Sequence, residues 1–324
     1  MRILFAGNPK IAVPALVALS EMECRGEGIE LAGLLTNPDA PHGRKGDLYP
    51  TEVSAAAASL SSSRMERGLA PIHQIKYEKL GTQAREEISV LACDLLVTFA
   101  YGRIFGPMFM ALFKRGGINI HPSLLPRYRG PSPIPAAILN RDKETGITIQ
   151  ELALEMDTGD ILAQEIIPLD PRDTTDSLSD KAAGKAAEML QDLIPKLMDK
   201  PVQARAQEGE VVYCNMINRE QGHIDWKLDA VDIDAQVRAY TPWPLSYSQW
   251  RGESLYILEG GSLPEYPEAE QPGVVLGIDR VHGILIQTGK GVYTVSRLQR
   301  QSKKALDWRV FLNGARGFIG SRLE

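Results

Sequence analysis

The first 200 residues alternate short apolar runs with stretches of helical periodicity. Apolar runs bounded by glycine or proline are typical of buried parallel strands, whereas apolar residues three and four apart are typical of helices. The predicted strands cover residues 2–6, 29–35, 94–99, 117–121, 147–152 and 161–167. The predicted helices cover residues 13–22, 55–69, 107–114 and 178–198. This alternation predicts a doubly wound, mostly parallel α/β sheet of the Rossmann-like type.

The last third of the chain has a different pattern. Residues 200–211 lose the helical periodicity and are rich in Gln and Glu, which indicates a linker. Beyond them, short strand-like segments separated by Gly and Pro indicate a small all-β unit, typical of a barrel. These segments cover residues 245–247, 254–258, 273–278, 283–288 and 291–298. We therefore expect an α/β domain over 1–199, a linker over 200–216 and a C-terminal β-domain over 217–324.

One predicted strand ends in two polar side chains, Asn119 and His121, which alternate with isoleucines. Side chains two apart on a strand share a face, so the amide and the imidazole point the same way. The proline-rich segment 122–133 then forms a rigid loop at the carboxyl end of the strand, where open α/β sheets bind ligands. An amide donor beside an imidazole can stabilise an oxyanion and move a proton. Since an isolated Asn-x-His is more often only a strand end, its interpretation depends on the segments around it.

Several segments in a fixed order resemble the formyltransferases that use 10-formyltetrahydrofolate. The main ones are Asn119-Ile120-His121 followed by Ser123–Pro126, and later Asp157-Thr158-Gly159-Asp160. Residues 4–9, 38–44, 100–102, 144–148, 224–226 and 241–244 tighten the resemblance to the branch of the family that formylates methionyl-tRNA. The resemblance therefore covers nearly the full chain.

The resemblance implies a reaction and its residues. It implies transfer of the formyl group from 10-formyltetrahydrofolate to the α-amine of initiator methionyl-tRNA, with Asn119, His121 and Asp157 as the catalytic residues of the first domain. It also implies an open, OB-like barrel for the C-terminal domain. Contacts to the folate are expected at Phe99, Ala100, Tyr101, Gly102, Ser123, Leu124, Leu125, Pro126, Thr158 and Gly159. Contacts to tRNA are expected at Arg44, Lys45, Arg127, Arg129, Lys303 and Lys304. Tyr101 could equally be a core aromatic residue.

Composition and charge restrict the remaining function classes. No apolar stretch approaches the roughly 18 residues of a membrane span, and no signal peptide is expected, so a cytoplasmic protein is predicted. We also expect a monomer. The three cysteines have no metal-ligand or disulfide spacing, so no metal is expected. The net charge of −5 argues against a general nucleic-acid binder. Residues 290–324, however, carry eight basic and two acidic side chains, a pattern that favours a local surface for a polyanion such as tRNA.

Three other functions stay open at this point. A sugar-nucleotide N-formyltransferase would share the three catalytic residues, and a folate hydrolase would release formate without an acceptor. A non-catalytic RNA-binding protein would have no need of those residues. An NAD-dependent oxidoreductase is not expected, because the first turn, Gly7-Asn8-Pro9, lacks the G-x-G-x-x-G pattern that lets the backbone approach a pyrophosphate.

Overall fold

The computed structural model describes residues 1–42, 46–200 and 202–324. The chain forms two compact units, each described below by itself. The first consists of Met1–Pro133, Glu144–Pro168 and Ser179–Cys214, and the second of Ile134–Lys143, Leu169–Leu178 and Asn215–Glu324. Contact density alone does not establish that a segment folds by itself. The domain and linker boundaries predicted from the sequence therefore stay a prediction.

The helices and strands are given in chain order. Up to residue 199 they are β1 (Arg2–Gly7), α1 (Val13–Cys24), β2 (Glu30–Thr36), β3 (Ala40–His42), β4 (Asp47–Tyr49), α2 (Glu52–Glu66), β5 (Gln74–Lys76), α3 (Thr82–Val90), β6 (Leu95–Phe99), α4 (Pro107–Met110), β7 (Gly117–His121), α5 (Pro133–Leu139), β8 (Glu144–Glu151), β9 (Ile161–Pro168) and α6 (Thr175–Asp199). They continue with α7 (Ala230–Ala239), β10 (Ser246–Trp250), β11 (Glu253–Leu263), β12 (Val275–Asp279), β13 (Gly283–Gln287), β14 (Val292–Arg300), β15 (Leu306–Asp307) and α8 (Trp308–Gly314). In the described ranges, no helix has both the length and the apolar character needed to cross a bilayer.

The first unit contains a seven-stranded sheet in the order β5-β2-β1-β6-β7-β8-β9. The five strands from β5 to β7 are parallel, and β8 and β9 continue the sheet as antiparallel strands. The chain runs from β1 outward to β2 and β5, and then returns to β6 on the other side of β1. The carboxyl ends of β1 and β6 therefore form a topological switch point, where open α/β sheets bind ligands.

The second unit is built on an antiparallel sheet in the order β10-β11-β14-β13-β12, with β15 paired to β14. Its core is rich in aromatic side chains. The ring of Trp250 lies 5.0 Å from the ring of Phe318 and 6.2 Å from that of Phe311. Buried positions alternate with partly buried ones along β10 and the first half of β11, which places one face of these strands on this core.

The predicted fold class is confirmed, since a mostly parallel α/β sheet is followed by an antiparallel β-unit. The predicted strand 117–121 coincides with β7. The predicted helix 107–114 is wrong in extent, because α4 ends at Met110 and the next residues make turns with i to i+3 hydrogen bonds. The segment 37–50, which contains the predicted tRNA contacts Arg44 and Lys45, includes the short pair β3 and β4. Its residues Arg44 and Lys45 lie outside the described residues.

Candidate active site

Strand β7 carries Asn119 and His121 towards the carboxyl edge of the sheet. In the antiparallel pair of β7 and β8, Asn119 lies opposite Gln150, and His121 lies opposite Thr148. Directly opposite residues on antiparallel strands share a face. Four polar side chains therefore lie on one face, while the isoleucines of β7 are buried in the core.

The carboxylate of Asp157, in the loop between β8 and β9, meets both residues of β7. Its Oδ1 accepts hydrogen bonds from Nδ2 of Asn119 at 3.3 Å and Nε2 of Gln150 at 3.1 Å, and it lies 3.5 Å from Nδ1 of His121. Asp157 has a left-handed backbone, with φ 55°. Aspartate tolerates this conformation better than most residues, but it still costs about 1–3 kcal/mol. The structure thus brings the three predicted catalytic side chains together.

Gly130 completes the surroundings of this carboxylate. Its backbone N–H donates to Oδ2 of Asp157 at 2.8 Å. Gly130 has φ 115°, and a Cβ at this position would lie 2.3 Å from the carbonyl oxygen of Cys214. Only glycine therefore allows the backbone to approach both Asp157 and Cys214 at this point.

His121 is 5% exposed, and its imidazole lies between two acceptors. Its Nε2 donates to the carbonyl oxygen of Tyr128 at 2.8 Å, because a carbonyl can only accept, and its Nδ1 faces Asp157. Burial lowers the pKa of His121, while the charge of Asp157 and the hydrogen bond to Tyr128 act in the opposite direction. The net shift is downward, so near neutral pH the ring is mainly neutral, with Nδ1 available as a base.

Polar side chains hold the loop after β7 through hydrogen bonds to the main chain of the loop. The hydroxyl of Ser123, a predicted folate contact, is fully buried and donates to the carbonyl of Arg127 at 2.6 Å. Thr148 donates to the carbonyl of Ser123 and accepts from the N–H of Leu125. Gln164 donates to the carbonyl of Leu125 at 3.0 Å. What this segment can offer a ligand is therefore its backbone and the half-buried side chain of Leu124.

The predicted folate contacts after β6 also expose backbone rather than side chains. Phe99 and Tyr101 are buried, whereas Ala100 and Gly102 are exposed, with φ 49° and 79°. The ring of Tyr101 stacks on that of Phe105 at 5.4 Å, and burial raises the pKa of Tyr101 to about 12. Its side chain thus packs as a core aromatic residue, and its carbonyl accepts from Nδ2 of Asn8. The exposed main chain here is therefore that of Ala100 and Gly102.

The loop that carries Asp157 is stabilised by its own residues. Thr158 donates through its hydroxyl to the carbonyl of Glu155 at 3.1 Å. Gly159 is buried, and a Cβ there would lie 1.8 Å from the carbonyl oxygen of Glu151. Leu154 and Met156, in the same loop, are 65% and 55% exposed. The loop therefore has a tightly packed base and an apolar outer surface beside the carboxylate.

The predicted tRNA contacts within the described residues are divided between the two units. In the first unit, Arg127 is exposed and its guanidinium lies over the ring of Tyr128 at 5.1 Å. Arg129 is half-buried, and its Nε and one terminal nitrogen donate to Oε1 of Gln207 at 3.0 and 2.7 Å. In the second unit, Lys303 and Lys304 are exposed in the turn between β14 and β15.

Two glutamines that sequence reasoning missed also belong to this site. Gln150 bonds the carboxylate of Asp157, and Gln207 bonds the main-chain carbonyls of Asp157 and Gly159. Gln150 could have been found from the register of β7 and β8, which places it opposite Asn119. For Gln207 the sequence gives no signal, because it lies in a segment without periodicity.

The arrangement has the parts that acyl transfer requires. Asn119 uses one amide hydrogen for Asp157, so the other can stabilise an oxyanion. His121 can take up and return a proton, and Asp157 stabilises the imidazolium that forms in between. Among the described residues, no group of three or more His, Cys, Asp or Glu side chains is placed to bind a metal ion.

Comparisons with known proteins identify the family and the fold. The family model for formyl transferases matches residues 1–194, and the model for the formyl transferase C-terminal domain matches residues 216–316. The methionyl-tRNA formyltransferase of Treponema denticola is 45% identical, with 100% of both chains covered.

Solved structures of other proteins show the same fold at low sequence identity. An N-formyltransferase from Helicobacter canadensis, in complex with folinic acid and dTDP-3-aminofucose, has a TM-score of 0.62 at 18% identity, over 90% of this chain and 97% of that one. HypX from Aquifex aeolicus with tetrahydrofolic acid has a TM-score of 0.62 at 17% identity, over 99% of this chain, which spans about half (48%) of that protein.

Proposed function

This chain belongs to the formyl transferase family, and from that premise we propose that it transfers the formyl group of 10-formyltetrahydrofolate to the α-amine of initiator methionyl-tRNA, for translation initiation. The convergence of Asn119, His121 and Asp157 carries the proposal of formyl transfer. The choice of acceptor is supported by full-length similarity to a methionyl-tRNA formyltransferase. The sugar N-formyltransferase resembles the chain only at the level of the fold.

The reaction begins with attack of the neutral α-amine on the formyl carbon. The carbonyl oxygen becomes an oxyanion, and the amide hydrogen of Asn119 that does not bond Asp157 stabilises it. The amine nitrogen now carries an extra proton, which a neutral His121 can accept on Nδ1. Because Asp157 lies 3.5 Å from this nitrogen, its charge stabilises the imidazolium that forms.

The second half of the reaction returns that proton. The tetrahedral intermediate collapses, the bond between the formyl carbon and N10 breaks, and N10 takes the proton from His121. The products are formylmethionyl-tRNA and tetrahydrofolate. Burial lowers the pKa of His121, which makes its protonated form a stronger acid towards the departing nitrogen. No covalent intermediate with the enzyme is needed, because the substrate supplies the nucleophile.

The folate is expected to lie against the exposed main chain of Ala100 and Gly102 and against the Asp157 loop. Backbone donors and acceptors with a few apolar side chains suit a flat heteroaromatic ring. The tRNA contacts are proposed at Arg44, Lys45, Arg127, Lys303 and Lys304. Arg129 also belongs to the predicted set, although its guanidinium bonds Gln207 in this structure.

The test is formyl transfer by the purified protein from labelled 10-formyltetrahydrofolate to charged initiator tRNA. We expect label on the methionyl-tRNA, and a fall in rate of about 100- to 1,000-fold in the folded Asn119→Ala or His121→Ala variants. Parallel reactions contain a dTDP-amino sugar, or no acceptor at all. Label on the sugar or free formate, with none on the tRNA, would contradict the proposal. Turnover close to wild type in both variants would remove the proposed catalytic roles.

A further inference from the structure

A chain of hydrogen-bonded polar side chains also holds the carboxylate of Asp157. Gln150 is 1% exposed, and its Nε2 donates to Oδ1 of Asp157 at 3.1 Å. The oxygen of the same amide accepts from Nε2 of Gln207 at 3.2 Å. Gln207 in turn accepts at its own oxygen from the guanidinium of Arg129. This hydrogen-bonded chain runs from the guanidinium of Arg129, through the amides of Gln207 and Gln150, to the carboxylate of Asp157.

The orientation of each amide in this chain follows from its partner. A guanidinium can only donate, so the oxygen of Gln207 must face Arg129. Its NH₂ group then faces three acceptors, the carbonyls of Asp157 and Gly159 at 2.9 and 2.8 Å and the oxygen of Gln150. With its oxygen so engaged, Gln150 presents its NH₂ group to the carboxylate. A flipped Gln150 would place an oxygen against Oδ1 of Asp157, and the two acceptors would repel each other.

This hydrogen-bonded chain ends at Oδ1 of Asp157, the oxygen that faces His121. Oδ1 is shared by Asn119, Gln150 and the imidazole, and its position therefore sets both the distance to Nδ1 and the direction of the Asn119 amide. Aligned hydrogen bonds of this kind polarise one another in a low-dielectric interior. A hydrogen bond to a charged group also contributes more than one between neutral groups.

We propose that Gln150 is a positioning residue for formyl transfer, holding the carboxylate of Asp157 against His121, and that Gln207 and Arg129 fix Gln150 in the orientation this requires. The inference rests on the proposed function and deepens its site. It also gives Arg129 a role beside the predicted contact with tRNA, because the two N–H groups that bond Gln207 lie within the site.

The first test is Gln150→Met, which keeps the length of the side chain and removes its donor. We expect kcat to fall about 10- to 100-fold, as loss of a hydrogen bond to a charged group implies, while KM for the folate stays near that of the wild type. The pKa of His121, followed by NMR of ¹³C-labelled histidine, is expected to fall further, because the carboxylate that raises it is no longer held. A purely structural role would leave this pKa unchanged.

A second variant, Gln150→Glu, tests the donor directly. When the introduced carboxyl is ionised it repels Asp157, and when it is protonated it can donate in place of the amide. Its activity relative to the wild type is therefore expected to rise as the pH falls. A ratio that does not change with pH would overturn the proposal.

Gln236→Met is the matched control. Gln236 is a buried glutamine of the second unit whose amide donates to main-chain carbonyls. This control should keep the wild-type kcat and the wild-type pKa of His121.

The two proposals can fail separately. The proposed function fails if the wild-type enzyme transfers no formyl group to methionyl-tRNA. The positioning role fails if an active wild type and a folded Gln150→Met share the same kcat or the same pKa of His121. Should Gln150→Met not fold, Arg129→Lys tests the same role through the pKa of His121. Lysine lacks the two guanidinium N–H groups that together orient Gln207. This variant should lower the pKa of His121, and an unchanged value would overturn the proposal.

Discussion

The buried imidazole of His121 makes the folded protein sensitive to acid. Burial places the pKa of this group below its ordinary value of 6.5, whereas the unfolded chain keeps the ordinary value. Between the two values the unfolded state binds more protons, so the contribution of His121 to folding stability is fully present above about pH 6.5 and is lost as the pH falls through the folded pKa. We expect His121→Gln to remove this part of the acid dependence, giving a shallower fall of the unfolding free energy below pH 6.5.

Urea denaturation at a series of pH values measures this dependence. His223→Gln removes an exposed imidazole and serves as the control, with the wild-type slope expected. If His121→Gln and the wild type lose stability in parallel below pH 6.5, burial does not govern the ionisation of His121.

The same residue shows what could be predicted from the sequence. The alternation of Asn119 and His121 with isoleucines predicted strand β7 and the shared face of the two polar groups. The burial that decides the pKa of His121 depends on the whole packed unit, and no local pattern reports it. Gln207 was missed for a related reason, since the residues it bonds, Gln150, Asp157 and Gly159, lie far away along the chain. Gln150 lies only seven residues from Asp157, and it was missed because the pairing of β7 with β8 was not predicted.

At the scale of elements, the loop after β7 and the loop after β8 meet through one glycine. We expect Gly130→Ala to destabilise the protein by about 2–4 kcal/mol, because the added Cβ would lie 2.3 Å from the carbonyl of Cys214 and alanine is strained at φ 115°. Activity should fall as well, because relief of the clash moves the N–H that bonds Asp157. Thermal unfolding and steady-state kinetics measure the two effects.

Gly184→Ala is the matched control for this substitution. Gly184 lies within α6, and a Cβ there has no neighbour within 4 Å among the described residues. Alanine in the middle of a helix is expected to stabilise by about 0.5–1 kcal/mol, with activity unchanged. A Gly130→Ala variant as stable as Gly184→Ala would show that the loop can shift without cost.

The elements were predictable where their periodicity was strong. The buried runs of β1 and β6 and the amphipathic helix α6 were predicted from the pattern alone. The short elements β5, α3, α5, α7 and α8 were missed, since three to ten residues carry few repeats of either period. The antiparallel pairing of β8 with β7, which brings Gln150 to the site, follows from tertiary packing and not from propensity.

At the scale of the whole molecule, charge conflicts with the proposed acceptor. The chain has a net charge of −5, yet a tRNA is a polyanion. Affinity must then come from local basic groups, such as the eight basic residues within 290–324. Binding through such groups releases counterions, so we expect the affinity for initiator tRNA to fall steeply as salt rises. Fluorescence titration at several salt concentrations measures the slope of log K against log salt.

The contribution of Lys303 and Lys304 to that slope can be isolated. The double variant Lys303→Ala/Lys304→Ala should reduce its magnitude by about 2 if each lysine contacts one phosphate. The double variant Lys114→Ala/Lys200→Ala removes the same charge from two exposed lysines, one of which precedes the amino end of β7 and so lies away from the site. It should leave the slope as in the wild type. If both double variants reduce the slope by the same amount, net charge sets the affinity. In that case, or if Lys303→Ala/Lys304→Ala keeps the wild-type slope, the assignment of Lys303 and Lys304 to the tRNA surface is wrong.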